Sequence, residues 1–189
     1  MSIEQLLTQA TQESDAFAKA SGLQCKSGCG ACCRYPHMET TIAEMMPMAK
    51  HLWDTAQADD ILTRLEQLPS VSPCAMYQAD PVNPDKGHCH AYAYRPGICR
   101  LFGFGARVDK NGHKQLVTCK VIKESYPIEI VKAELGINSG QYAPLISDHT
   151  MKVFSVDPHL GKETLPINYA LMKAVERIGL KRSQEMFSH

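Results

Sequence analysis

The chain has 189 residues, the length of one domain, and it can bury about 70% of the surface its unfolded form exposes. Twenty basic and 20 acidic side chains give a formal net charge of zero, which argues against nonspecific nucleic-acid binding. With 44% hydrophobic and 21% charged residues, a disordered chain is excluded. Eight cysteines remain as an excess that a chain of this size does not need as crosslinks.

Ser2 to Ser21 reads as an amphipathic helix. Ser2 and Gln5 have capping-box spacing, Ile3, Leu6, Leu7, Ala10, Phe17 and Ala20 mostly share one face, and Gly22 ends it. Packing on its own domain is favoured over docking to a partner. The segment Met1 to Asp15 holds Glu4, Glu13 and Asp15 but no Lys or Arg, unlike the start of a signal peptide. The longest uncharged stretch, Leu135 to Ser147, spans 13 residues with Gly, Pro, Asn and Gln among them. That is too short and too polar to cross a bilayer. A cytoplasmic protein with no membrane contact is expected. In that compartment dense cysteines point to metal or catalysis rather than to disulfides.

Cys25 to Cys33 is too rich in Cys and Gly for regular structure. Thr41 to Trp53 reads as a helix with Glu44 three residues after Thr41, and Pro47 should kink it or start a second one. Met45, Met46 and Met48 offer soft sulfur, but helical spacing favours core packing. Asp59 to Leu68 reads as a further helix, closed by Pro69 and Pro73. From Cys74 to Cys119 the chain looks strand-like. Asp109-Lys110-Asn111-Gly112 predicts a hairpin turn joining Phe102–Val108 to Lys114–Val121, and Gly103 and Gly105 suggest a bulge or a close backbone contact. Ile128 to Leu135 predicts a short helix ended by Gly136, and Pro166 to Ile178 a longer one. The fold class is therefore α+β: a small single domain, 1–189, with helices around a cysteine-rich irregular core (25–119), one or two hairpins, and a C-terminal extension (126–189) packed on that core.

The zero net charge conceals an asymmetry. Glu39 to Glu66 holds six acids against two bases, and Arg95 to Lys123 seven bases against one acid. Two of the cysteines lie in the basic segment, so its charge can offset thiolates.

The first cysteine cluster is Cys25-Lys26-Ser27-Gly28-Cys29-Gly30-Ala31-Cys32-Cys33-Arg34. A C-x-x-C turn lets two thiolates chelate one ion, and zinc and iron–sulfur clusters both take four such ligands. Cys32 and Cys33 are adjacent. In an extended chain they would face opposite ways, so the loop must bend sharply or one of them serves another ion. Cys74, Cys89, Cys99 and Cys119 follow at wide spacing. Eight thiols fill two four-thiolate sites, or one site with the rest structural or redox-active. Zinc or a cubane with four thiolates carries a net charge near −2. Arg95 and Arg100, with Arg34, Lys26 and Lys120, are placed in the sequence to donate to the sulfurs and offset that charge. His37, His88, His90 and His113 are alternative ligands. With thiols plentiful, and with His88 and His90 facing away from Cys89 if that segment is a strand, the reading goes against them.

These motifs resemble the YkgJ-like cysteine-cluster family, also called CxxCxxCC. The likeness rests on Cys29-Gly30-Ala31-Cys32-Cys33-Arg34, on Pro73-Cys74, on Cys89-x2-Tyr92-x2-Arg95-Pro96-x2-Cys99-Arg100-x-Phe102, and on Cys119. It implies a zinc- or iron-chelating domain or an iron–sulfur protein, with Cys25, Cys29, Cys32, Cys33, Cys74, Cys89, Cys99 and Cys119 as metal ligands. The cofactor is then zinc or iron, the latter as an iron–sulfur cluster of the 4Fe-4S kind. A redox or enzymatic role, a structural zinc module and a module that binds a protein partner all fit. A flagellin lysine methylase has a similar cysteine cluster, so methyl transfer is a further alternative. The chain departs from the family spacing between Cys25 and Cys29, where three residues stand instead of two. Cys25-x3-Cys29-x2-Cys32 also has radical-SAM spacing. Against that reading stand Ala31 where an aromatic is usual, the extra Cys33, and too few βα units for the usual barrel.

Overall fold

The computed structural model describes residues 1–83 and 86–187. Its first helix, α1 (Ile3–Ser21), starts at the predicted capping box. Ser2 accepts from the Gln5 amide, the Gln5 side chain returns to the Ser2 N–H, and Gly22 closes the helix at φ 73°. Leu6, Leu7, Ala10 and Phe17 are buried as predicted, whereas Ala20 is exposed. The cysteine loop then ends in one turn of helix, α2 (Ala31–Arg34). That corrects the expectation of a wholly irregular segment.

Strand β1 (Glu39–Thr40) leads into α3 (Ile42–Asp54), whose capping box pairs Thr41 with Glu44. The helix runs through Pro47, so no second helix starts there. Met45, Met48, Ala49 and Leu52 on its buried face are almost wholly withdrawn from solvent. A fully buried side chain of this size contributes about 1.5–3 kcal/mol, enough together to offset one lost backbone bond. Helix α4 (Ala58–Gln67) follows, within one residue of its predicted ends.

The 74–119 region is less strand-like than expected. It holds hairpin β2 (Tyr77–Ala79) and β3 (Gly87–Cys89), a 3-10 turn (Tyr92–Tyr94), a short helix α5 (Gly97–Leu101), and hairpin β4 (Gly105–Val108) and β5 (Lys114–Val117). Tyr77 pairs with Cys89, and Gly105 with Val117. Both strands of the second hairpin are shorter than predicted. Gly103 turns at φ 104° and gives its N–H to Val117 O at 2.7 Å, so Phe102 and Gly103 form a turn. Beyond β5, Cys119 caps α6 (Lys120–Ser125), which takes the predicted end of the strand.

Helix α7 (Pro127–Asn138) passes through Gly136 instead of stopping there, and α8 (Ile146–Val156) was not foreseen. Leu165–Pro166 forms β6, paired with β1, and α9 (Ile167–Phe187) continues nine residues past the predicted end. The β1–β6 pair joins segments far apart in sequence, with no local turn to announce it. Nine α-helices and three short antiparallel pairs among the described residues make the fold α+β. None of these helices is long and apolar enough to cross a membrane.

Helices α3 and α9 pack side by side, and α4 packs on α9. Ala170, Leu171, Ala174 and Val175 of α9 are wholly buried against this interface. Cys33, Cys74 and Cys89 belong to the same core, so the thiols sit against the helical frame. A second core gathers Phe17, Leu23, Leu116, Ile122 and Ile137 around the β4–β5 hairpin.

Candidate metal centre

The site begins with the backbone of the cysteine loop. Gly28 (φ 66°) and Gly30 (φ 57°) take left-handed conformations, which cost other residues about 1–2 kcal/mol. A Cβ at Gly30 would also press on the Gly87 carbonyl at 2.9 Å. This double bend lets the chain reverse and enter α2. Two backbone bonds then anchor it, Gly87 N–H to Gly28 O and Cys74 N–H to Cys33 O, each at 2.9 Å. The predicted sharp bend therefore exists, and the helical turn brings both Cys32 and Cys33 to the centre.

Seven of the eight cysteines line two adjoining chambers. The open one, about 250 Å³, is walled by Cys25, Cys29, Cys32, Cys33 and Cys89, with Lys26, His88, Tyr92 and Arg95. The closed one, about 10 Å³, is walled by Cys32, Cys33, Cys74, Cys89 and Cys99, with Met45, Met48 and Arg95. Cys32, Cys33, Cys89 and Arg95 are common to both. Met45 and Met48 thus pack in the core, as predicted, and also present side chains to the inner chamber. Cys119 lines neither. Its sulfur accepts the Ile122 amide at 3.4 Å, and it lies within electrostatic reach of Cys25.

The thiols differ sharply in acidity. Cys33 keeps its proton and shares it with Cys32 and Cys89; these hydrogen bonds push Cys33 up and bring Cys32 and Cys89 down. Burial opposes the fall at Cys32, and the Arg95 guanidinium assists it. Burial first, then neighbouring thiols, pushes Cys99 well up and Cys74 up to about 12. The residue surface of Cys25 is exposed, yet its sulfur is half-buried at the open chamber. Burial of that sulfur, then Cys29, Cys32 and Cys119, raises it to about 11. Among the described residues no group of three or more Cys, His, Asp or Glu side chains is already arranged to hold a metal ion. The donors are gathered but not closed on a point.

Arg95 is fixed over the Tyr92 ring at 3.4 Å, with Nε donating to Tyr92 O and Nη1 to Cys99 O. Arg100 is placed differently. It binds Arg95 O, Ala93 O and Thr11 Oγ1 at 2.6–2.7 Å, clamping α5 to α1 and the preceding turn. Lys26 reaches the open chamber, while Lys120 faces Glu124 on its own helix. Of the histidines, His88 reaches the rim of the open chamber, and its strand alternates exposed His88 with buried Cys89. His90 meets Gln57 at 3.1 Å, His37 packs edge-on to Tyr35, and His113 sits in the β4–β5 turn near Asp109.

Two polar residues, half-buried Asn168 and buried Glu44, hold the cysteine segments from the helical frame, and neither role was read from the sequence. Asn168, in the first turn of α9, accepts the Ala75 N–H at 2.7 Å and donates to Pro73 O and Ser72 Oγ, fixing the segment around Cys74. Glu44 accepts the Gly97 N–H at 2.8 Å at the start of the helix carrying Cys99, and His149 of α8 stands behind it at 2.9 Å. Only the capping spacing of Glu44 was visible in the sequence; no local signal marked Asn168 or His149.

A loop of thiols closed by a hairpin and a short helix, with basic side chains among the sulfurs, defines a cysteine-cluster protein. The chain belongs to the CxxCxxCC family, described as a putative zinc- or iron-chelating domain, which matches residues 24–120. No curated protein and no solved structure matches the chain.

Proposed function

We propose that this chain holds iron as an iron–sulfur cluster, ligated by thiolates drawn from its eight cysteines, with an accessible edge suited to a redox or enzymatic role. The observation that carries this reading is the convergence of seven cysteines, from four separate segments, on two adjoining chambers. Thiolate is the donor of iron–sulfur clusters and of zinc alike, so the donor set fits the group. The volume of the open chamber favours a cluster, because a lone ion needs far less space. The thiols are not yet closed on a point, so binding would draw sulfurs together and release protons, and the glycine loop supplies the freedom for it. The closed chamber favours a second reading: zinc in a closed thiolate site, with a structural or partner-binding role. On either reading we take 1–189 as one domain whose C-terminal part packs on the 25–119 thiol core.

Anaerobic purification followed by iron, zinc and acid-labile sulfide analysis decides between them. Brown protein containing iron and sulfide supports the cluster. Colourless protein with about two zinc ions per chain, filling two four-thiolate sites, would replace it with the zinc reading. Protein without metal under these conditions rejects both.

A further inference from the structure

A carboxylate withdrawn from water is costly unless donors meet both oxygens. Glu44 is 5% exposed, and its donors fall into two sets. Oε2 receives Thr41 Oγ1 at 3.0 Å, Thr40 Oγ1 at 3.1 Å and Thr41 N at 3.4 Å, which is the backbone bond of the α3 capping box with two added hydroxyls. Oε1 receives the Gly97 N–H and faces the His149 ring. A capping box requires neither burial nor a partner on another helix, so the second set needs its own explanation.

Gly97 is the first residue of α5, two positions before Cys99. A Cβ there would overlap the His149 ring and the Glu44 carboxylate. The far end of the same helix is held by Arg100, and Ser14 Oγ donates to Arg100 O at 2.9 Å. A five-residue helix has almost no stability alone, so these outside contacts decide where it lies.

We propose that Glu44, backed by His149, is a positioning residue of the thiol centre: through the Gly97 N–H it sets the first turn of α5 and so the place of the Cys99 sulfur in the closed chamber. This rests on the reading of Cys99 as a metal ligand. It goes beyond that reading by assigning the ligand's placement to a residue 53 positions away in the chain, outside the cysteine motifs.

The test compares Glu44→Ala, Glu44→Gln and Gly97→Ala with Ser2→Ala, which damages the capping box of α1 and bonds neither Glu44 nor α5. Zinc affinity is measured by chelator competition, cobalt(II) absorption reports thiolate geometry, and iodoacetamide labelling of Cys99 is followed in metal-free protein. Ser2→Ala should lower stability and leave the other readouts unchanged. Glu44→Ala and Gly97→Ala should weaken zinc binding by about 10–100-fold, the usual effect of removing a support behind a ligand. They should also alter the cobalt spectrum and speed Cys99 labelling. Glu44→Gln, which retains an acceptor for Gly97, should recover part of the loss. If Glu44→Ala does not fold, Gly97→Ala and Glu44→Gln decide. Wild-type affinity, spectrum and labelling in a destabilised Gly97→Ala would overturn the proposal. Wild-type protein that binds neither ion would strike the metal reading instead, and Cys99 labelling would still decide the positioning role.

Discussion

The inner and outer cysteines are held by different means. Cys74 and Cys99, in the closed chamber, sit in segments tied to α9 and α3 by Asn168 and Glu44. Cys25 and Cys29, in the open chamber, sit in a loop shaped by its own glycines and by a turn in which Cys29 N–H meets Lys26 O at 3.2 Å. Cys32, Cys33 and Cys89 face both chambers. The difference predicts a rigid half of the site and a half that moves more readily. Frame-held sulfurs arrive with little entropy left to lose, whereas loop sulfurs must be ordered as they bind.

The largest effect should come from removing one thiol on each side. Cys99→Ser should lose most of its metal on dialysis, and Cys25→Ser should retain it. Chelator treatment of wild type should bring its melting temperature to that of Cys99→Ser, since a metal that binds only the folded state adds its binding energy to stability. Metal content by elemental analysis is the measurement, and equal losses in the two variants would abolish the inner–outer division.

A smaller effect, in metal-free protein, concerns reactivity, and here exposure and acidity run in opposite directions. Cys25 is the exposed cysteine residue, but its half-buried sulfur ionises only at about 11. Cys32 is half-buried, and its bond from Cys33 brings it down to about 6. Alkylation follows the thiolate. At pH 7 Cys32 lies above its midpoint and Cys25 far below its own, so Cys32 should label first. Lowering the pH to 5 should protect Cys32, and raising it to 10 should bring Cys25 forward. Arg95→Gln should move the Cys32 midpoint upward, because the guanidinium favours its thiolate. Peptide mapping after short iodoacetamide pulses reads the order, and Cys25 labelling first at pH 7 would show that exposure governs instead.

The sequence made the outer half legible because its instructions are local. The C-x-x-C-C run, the glycines beside it and the two capping boxes are all complete within about ten residues. The inner half depends on partners that spacing does not reveal. Glu44 meets Gly97 across 53 residues and His149 across 105, and Asn168 meets Ala75 across 93. Periodicity identified the apolar stripe of α9 but not its continuation past Ile178, where mostly exposed residues with no buried stripe carry the helix on. The Cys74–Cys119 region misled for a related reason. Its short helix around Cys99 has too few residues to show a period and is stabilised by contacts from α1, α3 and α8.

The smallest expected effects come from the supports of each half, and they test whether rigidity differs as the contacts imply. Asn168→Ala removes an acceptor from the Ala75 N–H and donors from Ser72 and Pro73. Stranding buried polar groups costs about 1–3 kcal/mol, so global stability should fall by that amount in denaturant titration. Gly30→Ala imposes a left-handed alanine costing about 1–2 kcal/mol and sets a methyl against Gly87 and the Tyr77 ring. If the outer loop is a separate, weakly held unit, it should relieve that strain by opening locally. Hydrogen exchange at Cys29 and Gly87 should then rise while the global midpoint stays close to wild type. A global loss in Gly30→Ala as large as in Asn168→Ala would mean that the loop folds with the helical frame, and that both halves of the thiol site are equally rigid.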